Sequence, residues 1–231
     1  MIRALIFDVD GTLAETEELH RRAFNDSFRA AGLGWHWSRA EYTSLLTTTG
    51  GKERITRYLL GLGLDPAGFP VAALHAAKTD RYGALVAGGE LTLRPGIAAL
   101  LAEARRVGLR LACATTTSAP NVEALCRACF GKPATEVFDA IAAGDIVAAK
   151  KPAPDIYRHA LAELNLGPEQ AVAFEDSANG LSAARAAGLA CVVSPGVYTL
   201  HEDFPGALAV LDCFSELGGI AGLAALLAPA Q

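Results

Sequence analysis

Short apolar runs and stretches of helical periodicity divide the chain into two regimes. Near the start, Leu5-Ile6-Phe7 is a compact apolar run that breaks into Asp8-Val9-Asp10-Gly11-Thr12. That is the pattern of a buried strand running into a glycine turn. From Glu15 to Ala31, the positions Leu19, Ala23, Phe24, Phe28 and Ala31 recur at helical spacing and predict an amphipathic helix. Further helices are expected near Arg39–Leu46, Lys52–Leu60 and Phe69–Val86, with no strand between residues 14 and 86. From Leu91 onward the pattern changes. Strand-like segments at Leu109–Ala114, Asp139–Ala142, Ala171–Glu175 and Ala190–Val193 alternate with helices. Those helices run from Pro95-Gly96 to Val107, then Pro120–Cys129, Pro154–Leu164 and Ala178–Ala187. The Ala-rich tail, Gly219 to Pro229, reads as a last packing helix.

Strands alternating with helices imply right-handed crossovers and a parallel sheet covered on both faces. The expected fold is therefore α/β, a Rossmann-like parallel sheet with an inserted α-helical block. The predicted core is residues 1–14 and 90–231, and the predicted cap is residues 15–89. Two connections, at Leu13–Thr16 and Gly83–Leu91, would then form a hinge.

Composition narrows the function classes. The 231 residues are 52% hydrophobic and 19% charged, which suits a globular chain with a substantial core. No apolar run of about 18 residues occurs, so no membrane partner is expected. The start, Met1-Ile2-Arg3-Ala4, moves straight into a strand and leaves no room for a signal peptide. A net charge of -5 argues against nucleic acid as a partner, yet an acidic protein can still hold a locally basic site. Five cysteines in apolar surroundings fit reduced thiols in the cytoplasm. Cys126-Arg127-Ala128-Cys129 has no second pair to complete a zinc site.

In open α/β sheets, ligands bind at the carboxyl ends of strands. The first such end delivers Asp8 and Asp10, which extended backbone turns to one side with Val9 between them. A carboxylate beside a second carboxyl group suits a nucleophile or metal ligand next to a proton carrier. The second ends in Thr115-Thr116-Thr117-Ser118, hydroxyls at a helix start that suit a phosphate or simply cap the helix. A later strand ends in Glu175-Asp176, and Asp176 either caps the next helix or joins the other acids. Converging carboxylates need a cation, and oxygen-only ligands favour Mg²⁺ over zinc. Lys151, held before Pro152, is placed to neutralise both Asp8 and a phosphate.

On these motifs, the chain resembles the haloacid dehalogenase superfamily over nearly its whole length. Its insert is similar to the C1-type cap of the β-phosphoglucomutase subgroup. The longer strings Glu15–Asn25, Leu46–Ile55 and Ala114–Ser118 are similar to CbbY proteins. That resemblance implies a Mg²⁺-dependent phosphatase acting on xylulose-1,5-bisphosphate, an inhibitory by-product of Rubisco, in a host that fixes CO₂ by the Calvin cycle. It also implies that Asp8 forms an aspartyl-phosphate, that Asp10 is acid and then base, and that Thr115 and Lys151 bind the transferring group. Mg²⁺ would be held by Asp8, the Asp10 carbonyl and Asp176, with Glu175 close by. A carboxylate about 3 Å from one phosphate charge costs about 5 kcal/mol at an effective dielectric of 20, so attack requires the cations.

A bisphosphate needs a second cationic pocket. Lys52 and Arg54, beside Gly50-Gly51, are expected to supply it from the cap, with His75 and Lys78 adding to it from one helix face. Glu17 and His20 are candidates for sugar hydroxyls, and Thr116, Thr117 and Ser118 for phosphate oxygens. Each cap residue could equally be solvated helix surface. Gly50-Gly51-Lys52 is no P-loop, since Leu46 and Glu53 stand where Gly and Ser/Thr are needed. Two rivals remain: a phosphosugar mutase built on the same core, and an idle phosphosugar-binding protein. The threonine-rich Thr47–Gly51 loop favours the phosphatase over the first, and intact acids and lysine disfavour the second. A phosphosugar is the expected partner, and a monomer the expected state.

Overall fold

Strand β1 (Ala4–Phe7) lies inside a six-stranded sheet in the computed structural model, which describes residues 1–228. The others are β2 (Arg110–Thr115), β3 (Ala140–Ala143), β4 (Ala171–Glu175), β5 (Ala190–Val193) and β6 (Ala209–Val210). Their spatial order is β3-β2-β1-β4-β5-β6, and every pairing is parallel. Phe7 sits opposite Cys113 on one side and Phe174 on the other. Strand order therefore reverses at β1, and the crevice at such a reversal is where ligands settle.

Alternation along β1 splits the interior in two. Leu5 and Phe7 join α5 (Ile97–Arg106), α6 (Ala119–Phe130) and α10 (Gly219–Leu226) on one face. Ala4 and Ile6 join α8 (Asp155–Leu164) and α9 (Ala178–Ala186) on the other. A single helical turn, α7 (Ala134–Val137), precedes β3. Strands buried on both faces have no polar alternation to show, which explains their plain apolar look in the sequence.

Between β1 and α5 the chain forms only helices and loops: α1 (Glu17–Ala30), α2 (Arg39–Leu46), α3 (Gly51–Gly61), α4 (Val71–Ala87) and one 3₁₀ turn. They build an aromatic cluster of Phe24, Phe28, Trp37 and Tyr42 with Ile55, Leu59 and Leu74. Trp37 is wholly buried, its ring 4.7 Å from Phe24 and 4.9 Å from Phe28. Both tryptophans, Trp35 and Trp37, lie in this segment. The lower ends of α1 and α4 share the sheet's core through Leu19, Ala23, Tyr82 and Val86. Ala14 and Leu93 form an antiparallel bridge where the chain leaves and returns.

Element boundaries move by one to three residues from the sequence reading. α1 begins at Glu17 rather than Glu15 because Thr16 holds the cap position. The last helix ends at Leu226, and Pro229 lies outside the described residues. β6 and α7 went unforeseen, since two or four residues carry no readable period. No helix among the described residues is long and apolar enough to cross a membrane.

Candidate active site

The loop after β1 closes tightly, with Gly11 N–H on the Ala14 carbonyl and Leu13 N–H on the Val9 carbonyl, both at 2.9 Å. Val9 is buried in the core, so Asp8 and Asp10 face the cleft together. Gly11 has φ of +83°, and a Cβ there would stand 2.3 Å from Asp176 Oδ2. Gly11→Ala meets both the left-handed penalty of about 1–2 kcal/mol and that clash. The variant is expected to melt at least about 2–4 °C lower and to lose most activity, as thermal denaturation and phosphate release would report.

At the neighbouring strand ends, Lys151 Nζ bridges Asp8 Oδ1 and Glu175 Oε1, each at 2.6 Å. Tyr157 donates its hydroxyl to the same Glu175 oxygen at 2.5 Å. Burial pushes Asp8 up and Lys151 pulls it back, leaving it near 7, while Glu175 and Asp10 push upward. Burial also works against the charge of Lys151, but Asp8 and Glu175 overcome this and hold its pKa above the ordinary lysine range. Asp176 is raised well above normal by burial, then by Asp8 and Glu175. Its carboxylate has only long contacts, to Thr12 and Thr199 hydroxyls at 3.5 Å. Ser177, not Asp176, caps α9 by accepting from the Gly180 N–H, which leaves the Asp176 side chain to the cleft.

Oxygens of Asp8, Glu175 and Asp176 can all lie within 4.8 Å of one another. One ammonium shared by three buried acids leaves negative charge in excess. A hard divalent cation with oxygen ligands fits that surplus.

Asp10 is treated differently. Its Oδ1 accepts from Thr16 Oγ1 at 2.6 Å and lies 3.0 Å from His20 Nε2. Thr16 consequently makes no side-chain cap on α1, its hydroxyl being spent on the carboxylate. Lys78 Nζ, 2.6 Å from His20 Nδ1, has only protons to offer, so Nδ1 accepts and Nε2–H donates to Asp10. Burial would raise Asp10, but His20, Thr16 and Lys78 outweigh it and hold the carboxyl far below its usual range.

Lys78 itself is buried and is pushed down to about 8, chiefly by burial. A lysine whose folded pKa is depressed burdens the fold fully below that value, and the burden lifts as pH rises toward the unfolded value of 10.5. Lys78→Met is therefore expected to gain about 1–3 kcal/mol of stability at pH 7 while losing activity. The gain should shrink between pH 8 and 10, which melting curves across that range would check.

On the cap side, Glu17, His20, Gly50, Gly51, Arg54, His75 and Lys78 line the cleft that Asp8, Asp10, Thr115, Lys151 and Asp176 floor. Gly51 is needed there, since a Cβ would sit 2.4 Å from His75 Nε2. Burial, with Lys78 and Lys52 nearby, lowers His75 to about 4, so it is neutral at pH 7. Thr116, Thr117 and Ser118 line the same cleft. Ser118 occupies the cap position of α6 without making a cap bond, and its buried Oγ has no partner among the described residues. Asn121 donates to Thr117 Oγ1 at 2.9 Å.

Two sequence expectations are revised. Lys52 does not line the main cleft; it pairs with Asp145 at 2.6 Å, which Lys150 also grips. His20 turns to Asp10 and Lys78. Glu175 is fully buried, bonded to Lys151 and close to Asp8 and Asp176. Thr16, Tyr42 and Tyr157 were missed. Tyr42 donates to Glu17 Oε2 at 2.7 Å and accepts from Arg54 at 3.0 Å, fixing both in the cleft wall.

A haloacid dehalogenase-like hydrolase family model matches residues 2–188. The chain belongs to the haloacid dehalogenase-like hydrolases. CbbY of Cereibacter sphaeroides is 68% identical over 223 residues, 96% of this chain and 97% of that protein. The crystal structure of CbbY (mutant D10N) from Rhodobacter sphaeroides in complex with xylulose-(1,5)bisphosphate superposes with a TM-score of 0.94 at 68% identity. It covers 96% of this chain and 99% of that one. β-Phosphoglucomutase from Clostridium difficile, at 22% identity and a TM-score of 0.77, shares the fold over 94% of this chain and 93% of its own. This haloacid dehalogenase-like chain is a phosphatase-type enzyme similar to CbbY.

Proposed function

We propose that the enzyme hydrolyses a sugar bisphosphate through an aspartyl-phosphate on Asp8, with xylulose-1,5-bisphosphate converted to xylulose 5-phosphate and inorganic phosphate. The observation that carries this reading is the Asp8–Lys151–Glu175 bridge, set beside Asp10 and Asp176 under a cationic cap wall. The bisphosphate bound to the 68%-identical CbbY supports the choice of substrate. The helical segment, residues 15–89, acts as the cap over a core of residues 1–14 and 90–231.

Asp8 Oδ attacks phosphorus and the bond from phosphorus to the sugar oxygen breaks, with Asp10 giving that oxygen a proton. Water then attacks the same phosphorus, Asp10 takes its proton, and the acyl-phosphate bond breaks to release phosphate. Asp10 as its neighbours hold it is ionised, the form that receives a proton from water. An ionised Asp10 suits the dephosphorylation half of the cycle, and the first half calls for Asp10 to arrive protonated. Lys151 compensates charge on Asp8 and the phosphoryl group, and Thr115 positions phosphoryl oxygens, since placement and electrostatics supply most of phosphoryl-transfer catalysis. Arg54, Lys78 and the hydroxyls leading into α6, on Thr116, Thr117 and Ser118, are the groups that meet the rest of the substrate. Mg²⁺, held by Asp8, the Asp10 carbonyl and Asp176 with Glu175 behind, would neutralise the transferring phosphoryl group. A cytoplasmic monomer completes the proposal.

The test is phosphate release from xylulose-1,5-bisphosphate, ribulose-1,5-bisphosphate and β-glucose 1-phosphate, with Mg²⁺ and with chelator. Selective, Mg²⁺-dependent release from the first supports the reading. Conversion of β-glucose 1-phosphate to glucose 6-phosphate without phosphate loss would replace it with a mutase.

A further inference from the structure

Arg94 sits where both connections between the helices and the sheet cross. It follows Leu93, which bridges Ala14, and its backbone N–H donates to the Leu13 carbonyl at 2.8 Å. Its side chain is only 8% exposed, and each guanidinium nitrogen has partners. Nη1 donates to the Gly11 carbonyl at 2.5 Å and the Ser194 carbonyl at 2.7 Å. Nη2 donates to Ser194 Oγ at 2.8 Å and the Pro195 carbonyl at 2.9 Å. Nε lies 3.4 Å from a Glu15 carboxylate oxygen, and the group lies over the Phe214 ring at 5.5 Å.

These acceptors belong to two separate loops, one after β1 and one after β5. Gly11 lies between Asp10 and Thr12 in the first. The second runs on through Gly196, whose added Cβ would stand 3.0 Å from Asp176 Oδ2. It reaches Thr199, which donates to the Asp176 carbonyl at 2.6 Å. One rigid fork thus ties the peptide beside Asp10 to the loop that backs Asp176. Glu15, at the exit toward the helices, also accepts from the Val197 N–H at 3.3 Å. Burying a guanidinium among carbonyls is costly, and it is tolerated where its five directed donors fix geometry. Lysine, a point charge with three donors, cannot span both loops in the same plane.

We propose that Arg94 is a positioning residue for phosphoryl transfer: it holds the Asp8–Thr12 loop in register with the loop after β5 that backs Asp176. The proposal rests on the phosphatase reading for its kinetic consequence, but not for its structural one. Arg94→Lys and Arg94→Met are compared with wild type below the melting temperature of each. The lysine variant is expected to lose about ten- to a hundredfold in kcat, as a misplacement near 1 Å does, with KM within about twofold. Backbone amide exchange should quicken over residues 8–16 and 194–199 and stay unchanged over α3. A lowered melting temperature with kcat intact would overturn the proposal, as would a loss confined to KM. Unchanged exchange in those two segments in both variants would also overturn it. Absence of turnover in the wild-type enzyme on every phosphorylated sugar would instead sink the phosphatase reading, and the exchange pattern would still decide whether Arg94 anchors the loops.

Discussion

Asp8→Asn is expected to abolish turnover, by at least about 10⁴-fold, or about 5.5 kcal/mol of barrier at 1.36 kcal/mol per tenfold. An amide of the same shape keeps the packing but is a far poorer nucleophile. The fold should survive and even gain. Asp8 is raised to about 7 in the folded chain from 3.8, so its contribution is present below 3.8 and lost as pH rises through 7. Near pH 8 the ionised carboxylate burdens the folded state, and the neutral amide removes that burden. Phosphate release paired with thermal melting at pH 8 checks both halves. Activity that persists in a folded Asp8→Asn protein would exclude Asp8 as the nucleophile.

Lys151→Met is expected to fail in both respects. The ammonium is the shared partner of Asp8 and Glu175 at 2.6 Å each, and it is buried. Taking one member from a buried ionic cluster strands the others, typically at about 3–5 kcal/mol. Asp8 and Glu175 would then lack a cation beside Asp176, and all three would be driven toward protonation. Melting should fall by roughly 6–20 °C at neutral pH and recover in part as pH drops and the acids take up protons. Turnover should fall by about 10³-fold or more, since a protonated Asp8 cannot attack. Added Mg²⁺ should restore more stability than it does in wild type, because it replaces the missing positive charge. A Lys151→Met protein as stable as wild type at pH 8 would show that the three acids do not depend on this ammonium.

The parts legible in the sequence are those written in local spacing. Asp8, Val9 and Asp10 alternate, and burial of Val9 delivers both acids to one cleft as the pleat requires. Sheet class followed from strands that alternate with helices, and the hydroxyls after β2 lie at the start of α6 as their position implied. What local spacing cannot give is the partner across the chain. Lys52 looks like a cap cation, yet its partner is Asp145, far along the sequence. His20 sits on the expected helix, but only the fold shows that it is held between Asp10 and Lys78. Tyr157 is an ordinary core aromatic in sequence, and its hydroxyl bond to Glu175 depends on how α8 packs across β2 and β3. Arg94 draws no attention in the sequence, because the groups its side chain donates to, on Gly11, Ser194 and Pro195, lie 83, 100 and 101 residues away.

Placement of both tryptophans in the helical segment, with none in the sheet, gives the enzyme a built-in optical label. Indole emission arises from Trp35 and Trp37 alone, and Trp37 is sealed among Phe24, Phe28 and Tyr42. Excited at the red edge of indole absorption, the protein is spectrally silent below the cleft and bright above it. Tyr42 packs against Trp37 and bonds Glu17 and Arg54 of the cleft wall, and Phe24 packs against Trp37 beneath Lys78, so two rings join the cleft to the dye. Rapid-mixing fluorescence can therefore time the helices against the chemistry with no probe attached.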